Sequence, residues 1–187
     1  RGVTAWTAAA LDRPGAFAQL AGALSAAGFT IVSAEATTRA DGVAVDTFHV
    51  TDGRGRLVRE PRRWARVDRL IALAESDPEA FERAIDQARR SAPPTPNPGA
   101  MELQRVVVTN EASDRATVVE VVTPDRPGLV YDIARTLYEF GLDLSVARIA
   151  TRQDLASDTF YVVDRRGRRL GLRRQRALRA ELQRRFV

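Results

Sequence analysis

The sequence predicts an α+β protein made of two consecutive copies of one unit, each a small antiparallel sheet with helices. Three observations predict it. The tetrapeptide Asp12-Arg13-Pro14-Gly15 recurs as Asp125-Arg126-Pro127-Gly128, an offset of 113 residues. Holding that offset from Asp12 to Arg39 gives ten identities in 28 positions, and an internal repeat decides the architecture before any single element is read. Within each copy the apolar pattern passes from strand-like alternation to helical spacing and back.

The elements follow in order. Val3–Ala10 and Thr117–Thr123 are β-prone runs that end at the Asp-Arg-Pro-Gly turn. Helical i, i+3, i+4, i+7 spacing then places Phe17, Leu20, Ala21 and Leu24 on one face, and Val130, Ile133, Ala134 and Leu137 on its counterpart. Gly28 and Gly141 stand where a helix C-terminus is expected. Alternation returns at Phe29, Ile31 and Ser33, and at Leu142, Leu144 and Val146. Each run is followed by a hairpin partner, ending in Phe48–Val50 or Phe160–Val162. Along these partners the offset falls to 112, matching Asp46-Thr47-Phe48 to Asp158-Thr159-Phe160. The slip is expected in the hairpin turns, at Ala40-Asp41-Gly42 against Gln153-Asp154, where one residue more or less is tolerated.

A second helix follows each hairpin, with Trp64, Val67, Ile71 and Ala74 inward in copy one and Leu178, Leu182 and Phe186 in copy two. Asp77–Arg90 reads as an additional helix carrying Phe81 and Ile85 inward, and Ser91–Ala100, with four of the nine prolines, as a stiff linker. The expected division is a first domain over 1–76, the extra helix and linker over 77–100, and a second domain over 101–187. A βαββαβ sandwich of ferredoxin type needs a fourth strand beside the first. Arg105–Thr109 is β-prone, is joined to Thr117–Thr123 by the polar stretch Asn110–Arg115, and is expected to fill that place in copy two. Copy one needs an equivalent from before Arg1 or borrows this one. The start at Arg1 without a methionine suggests a piece of a longer chain.

Composition removes several function classes. There is no cysteine, which excludes disulfides, thiol nucleophiles and thiolate metal sites. His49 is the only histidine, which leaves no histidine-built metal centre. No apolar run approaches the ~20 residues of a membrane span, and no charged-then-apolar leader opens the chain, so a cytoplasmic location is expected. All 29 basic residues are arginine. Ten of them fall in 165–187 with one acid, Glu181, so this segment carries +9 while the rest carries −4. An arginine-rich tail can neutralise phosphates, but Leu178, Leu182 and Phe186 make it an amphipathic helix whose arginines form the wet face. Nucleic acid is therefore not an expected partner, and the hairpins Asp-Thr-Phe-His-Val and Asp-Thr-Phe-Tyr-Val lack the basic and aromatic pattern that stacks bases. The recurring acids Asp46, Asp158, Asp52 and Asp164 read as turn and register residues, His49 as a strand residue matching Tyr161, and Trp64 as packing.

The Asp-Arg-Pro-Gly turn carries the chemistry. It joins a strand to a helix, so the first helical N–H groups point out of it unpaired. Asp12 or Asp125 can cap them, proline suits the first turn, and glycine lets a ligand approach the backbone. The turn reads first as a well-capped helix start and second as a seat for a small carboxylate, favoured by the helix dipole by roughly 0.3–1 kcal/mol. With an aspartate close by to meet an ammonium group, an α-amino acid fits it better than a phosphate.

On these residues the chain resembles the ACT regulatory domain family. The stretch Val118–Ala134, Val-Val-Glu-Val-Val-Thr-Pro-Asp-Arg-Pro-Gly-Leu-Val-Tyr-Asp-Ile-Ala, together with Asp158–Val162, Arg1–Thr4 and the Asp41–Phe48 hairpin, looks like the tandem ACT pair found in PII uridylyltransferase/uridylyl-removing enzymes. The resemblance covers nearly the whole chain apart from residues 77–100 and the basic tail. It implies tandem ferredoxin-like βαββαβ domains, antiparallel sheets with helices on one face, and ACT–ACT packing within the chain or in a homodimer. It also implies a small amino-acid effector, glutamine in this family, read out by catalytic domains that act on the PII signal protein. The chain itself would hold no catalytic residue, metal or cofactor. Carried over residue by residue, the ligand site is Asp125, Arg126, Pro127, Gly128 and Leu129, with backbone N–H groups near Gly128 and Leu129 for the carboxylate. Leu144 and Ser145 form its wall, and Asp12, Arg13, Pro14, Gly15 and Ala16 are the equivalent set. Because Ala16 replaces the larger Leu129 and Ala8-Ala9-Ala10 makes a bland strand, the intact pocket is expected in copy two. The alternative readings are an oligomerisation or protein-interaction module without a small ligand and, behind it, a nucleic-acid-binding ferredoxin-like module.

Overall fold

The structure is a computed structural model and describes residues 2–91, 103–152 and 155–187. Its elements follow the repeat. Copy one supplies β1 (Thr4–Leu11), α1 (Ala16–Ala26), β2 (Phe29–Thr38), β3 (Val43–Asp52) and α2 (Pro61–Ser76). The additional helix α3 (Pro78–Ser91) comes next. Copy two supplies β4 (Arg105–Thr109), β5 (Thr117–Pro124), α4 (Leu129–Glu139), β6 (Leu142–Arg152), β7 (Leu155–Asp164) and α5 (Leu172–Phe186). The linker expected at 91–100 and the Gln153-Asp154 turn lie outside the described residues, Ser91 apart.

The strands form a single antiparallel sheet in the order β1-β3-β2-β6-β7-β5-β4. The two copies are joined at its centre by β2 and β6, from Ser33↔Ala150 to Thr37↔Val146. The middle pair of that ladder is Glu35↔Arg148, two residues related by the 113-residue offset, so the copies meet about a pseudo-twofold axis. β4 pairs with β5 at one edge, from Arg105↔Val122 to Thr109↔Val118, while β1 lies at the other. Copy one therefore does not borrow β4.

The helices touch in the order α2, α1, α4 along the sheet, and Arg185 of α5 reaches Thr136 and Glu139 of α4. They form one layer because each strand buries alternate residues toward them. Phe48 and Val50 of β3 and Phe160 and Val162 of β7 are fully buried there. Trp64 lies partly buried against that core, 4.8 Å from the Phe29 ring and stacked on Trp6. Phe81 and Ile85 turn α3 inward, against Gly22 of α1. Both copies carry a bulge at the same place in their second strand, between Ile31 and Ser33 and between Leu144 and Val146.

Candidate ligand site

The Asp-Arg-Pro-Gly segment is the same turn in both copies. Ala16 N–H donates to the Arg13 carbonyl, and Leu129 N–H to that of Arg126, each at 3.1 Å. Gly15 has φ 82° and Gly128 φ 78°, so each is the third residue of a type II turn, a place that suits glycine and follows naturally from proline before it. Each glycine is also the helix N-cap, and neither helix receives a side-chain capping hydrogen bond. The capping role expected of Asp12 is thus not observed. Asp12 instead accepts from Thr38 Oγ1 at 2.9 Å, and its N–H donates to the Gly42 carbonyl, tying the turn to the β2–β3 hairpin. Leu129 N–H, expected to face a ligand, closes its own turn.

Around copy one's turn lies a cavity of about 210 Å³. Asp12, Arg13, Pro14, Gly15 and Ala16 all line it, as do Phe17 and Ala18, whose N–H groups belong to the first helical turn and have no intrahelical acceptor. The opposite wall comes from copy two: Tyr138 of α4 and Leu142, Asp143 and Leu144 of β6. Leu144 is therefore brought to the cavity at the first turn. Ser145, the bulged residue, does not line this cavity; its hydroxyl donates to the Tyr161 carbonyl at 3.0 Å. Arg13 is held by Gln19 Oε1 and Glu75 Oε1, both at 2.6 Å.

Copy two's turn has different surroundings. Gly128 and Leu129 are buried, and Arg89 and Ile85 of α3 cover Gly128. Arg89 pairs with Asp132 and with Asp86, and Arg126 also reaches Asp132, at 2.6 Å. The copy expected to hold the intact pocket is thus the one that α3 covers, whereas the described cavity belongs to the first turn.

Asp46, read from the sequence as a turn and register residue, lines the cavity. It is buried, and its carboxyl is pushed up to about 6 by burial and by the charge of Asp12. Its counterpart Asp158 is fully buried; burial and then Asp125 push it up to about 8. The signal was present: period two places Asp46 on the same strand face as Phe48 and Val50. By contrast, Asp52 and Asp164 are turn residues as expected. Each accepts two backbone N–H groups, from Arg54 and Arg56 or from Arg166 and Arg168, and Asp52 is lowered to about 2, chiefly by the Arg56 N–H. Among the described residues no cluster of His, Cys, Asp or Glu could hold a metal ion, and no helix is long and apolar enough to cross a membrane.

Comparison with known proteins agrees with this architecture. The family model described as ACT domain matches residues 9–58, and that described as ACR9-like, ACT-like domain matches 105–187. A bifunctional uridylyltransferase/uridylyl-removing enzyme of Gluconobacter oxydans is 40% identical over 170 residues, covering 91% of this chain and 18% of that protein. The enzyme of the same description from Novosphingobium aromaticivorans is 38% identical over 165 residues, covering 88% and 18%. That from Rhodospirillum rubrum is 35% identical over 156 residues, covering 82% and 16%. The chain thus spans less than a fifth of the curated relatives it matches, and that part is regulatory in type. Two matched domains, one in each half of the repeat, place the chain in the ACT domain family as a tandem pair of ACT-type domains.

Proposed function

We propose that the chain is the effector-sensing part of a bifunctional uridylyltransferase/uridylyl-removing enzyme, and that it binds glutamine in the cavity at the first turn. The observation that carries this reading is that one cavity is walled by both copies: the Arg13–Ala16 turn on one side, Tyr138 and Leu144 on the other. A ligand there touches both domains at once, so its binding free energy depends on how they sit against each other, which is what coupling to a distant activity requires. At about 210 Å³ the space is below that of drug-sized pockets and suits a single amino acid. The Phe17 and Ala18 N–H groups offer a carboxylate the positive end of α1. Glutamine as the effector, the PII signal protein as the indirect partner and the cytoplasm as the setting are what the family resemblance of the sequence implies.

Calorimetric titration of glutamine into the chain tests the proposal, with glutamate, asparagine and serine as controls. Saturable, glutamine-selective heat that Gly15→Val abolishes and that leaves folding intact is the expected result. No binding of any amino acid by the folded wild type would overturn it in favour of an interaction module.

A further inference from the structure

We propose that Asp46 is the residue that recognises the ammonium group of the bound effector, which makes the cavity selective for α-amino acids over their desamino analogues. The inference rests on the reading that an amino acid binds at the first turn, and it adds a residue and a specificity to that reading.

Asp46 sits at the middle of β3, paired with Ala8 of β1 and Ala36 of β2. Neither neighbour can offer it a side-chain donor. It is 5% exposed, forms no hydrogen bond to any described residue, and faces the cavity. No described group of the protein competes for its carboxylate, so a cationic donor entering the cavity is free to take it. The charged and titratable groups around it offer none. Asp12 from the turn and Asp143 from β6 carry the same sign, and Tyr138 of α4 is the other titratable lining residue. Arg13, the cation on the lining, is held by Gln19 and Glu75. Asp143 is itself raised, by burial first and then by Asp12. The cavity lining thus carries three carboxyl groups and, at the start of α1, a pole of free N–H groups. A zwitterion placed with its carboxylate toward Phe17 and Ala18 brings its ammonium to Asp46, which lacks a donor.

The burial that raises Asp46 to about 6 gives the contact a proton signature. An ammonium binds the ionised form, so binding near pH 6 expels the proton from molecules that still hold it, about half a proton per ligand. At pH 8 the group is already ionised and none is released.

The test compares glutamine with glutaramate, which keeps the carboxylate and side-chain amide but lacks the α-amino group. In the wild-type chain glutamine is expected to bind, and Asp46→Asn, nearly isosteric, to weaken it by about 10- to 100-fold, the scale of a charge-assisted hydrogen bond. Glutaramate binding should change less than about twofold. Wild-type titrations at pH 6 in buffers of different ionisation enthalpy should show the released proton, with none at pH 8; this arm needs no variant to fold. If wild type binds glutamine but Asp46→Asn leaves it unchanged, or weakens both ligands equally, the ammonium role is overturned while the sensor reading stands. If wild type binds no amino acid, the sensor reading falls with it.

Discussion

Arg89 of α3 lies across Gly128 at the second turn, so that a Cβ there would meet its Nε at 3.1 Å and its Nη2 at 3.2 Å. The matching place in copy one is different: a Cβ at Gly15 would come nearest the Tyr138 ring, at 3.5 Å, an ordinary contact. The repeat makes two equivalent turns, and α3 covers one of them.

One effector per chain follows from this asymmetry. Calorimetry on the wild type should give a stoichiometry of one. Truncating the cover with Ile85→Ala and Arg89→Ala should expose the second turn and add a weaker second binding event. Two equal sites in the wild type would show that α3 does not close the second turn.

The two turn glycines should respond unequally to alanine. Both hold a left-handed conformation that costs an L-residue roughly 1–2 kcal/mol, so Gly15→Ala is expected to lose about that much, its Cβ finding ordinary contact with Tyr138. Gly128→Ala carries the same backbone cost and also presses on Arg89 and Ile85, at 3.1 and 3.3 Å. Urea unfolding of the two variants should show the larger loss at Gly128, with an unchanged dependence on denaturant.

Asp158 sets a pH dependence of stability. Its folded carboxyl keeps its proton up to about pH 8, whereas in the unfolded chain it ionises near its ordinary value of 3.8. The folded state therefore binds more protons than the unfolded state between those limits, and stability falls as pH rises through that window, by at most about 1.4 kcal/mol per pH unit. Asp158→Asn removes the titration. Plotted against pH from 5 to 8, stability of the variant relative to wild type should climb steadily; parallel curves would mean that Asp158 is already ionised in the fold.

Much of this was legible in the residues because local signals and the repeat agreed. The type II turn follows from Pro14-Gly15 and Pro127-Gly128, and the inward faces of α1 and α4 from helical spacing. Phe81 and Ile85 marked α3 as packed before its position was known. What could not be read was where α3 packs, because an amphipathic face says that a helix is covered without saying by what. That one placement moved the candidate cavity from copy two to copy one. The aspartates divided for a similar reason. Asp52 and Asp164 make local contacts two and four residues on, which spacing reveals. Asp46 matters through Asp12, Tyr138 and Asp143, brought together only when β6 of one copy joins β2 of the other.

The basic C-terminal helix should prove structural. α5 buries Gln175, Leu178, Leu182 and Phe186, and its end is held by Thr123, whose hydroxyl donates to the Phe186 carbonyl at 2.7 Å in a buried position. Leu182 is fully buried, and truncating such a side chain to alanine costs about 2–5 kcal/mol. Arg173, Arg176 and Arg179 stand on the exposed side of the same helix, where single charge changes stay within about 0.5 kcal/mol. Thermal unfolding should therefore show a large drop for Leu182→Ala and almost none for Arg176→Gln. Stability that fell on Arg176→Gln but survived Leu182→Ala would mean that the arginines, and not the apolar stripe, hold α5 in place.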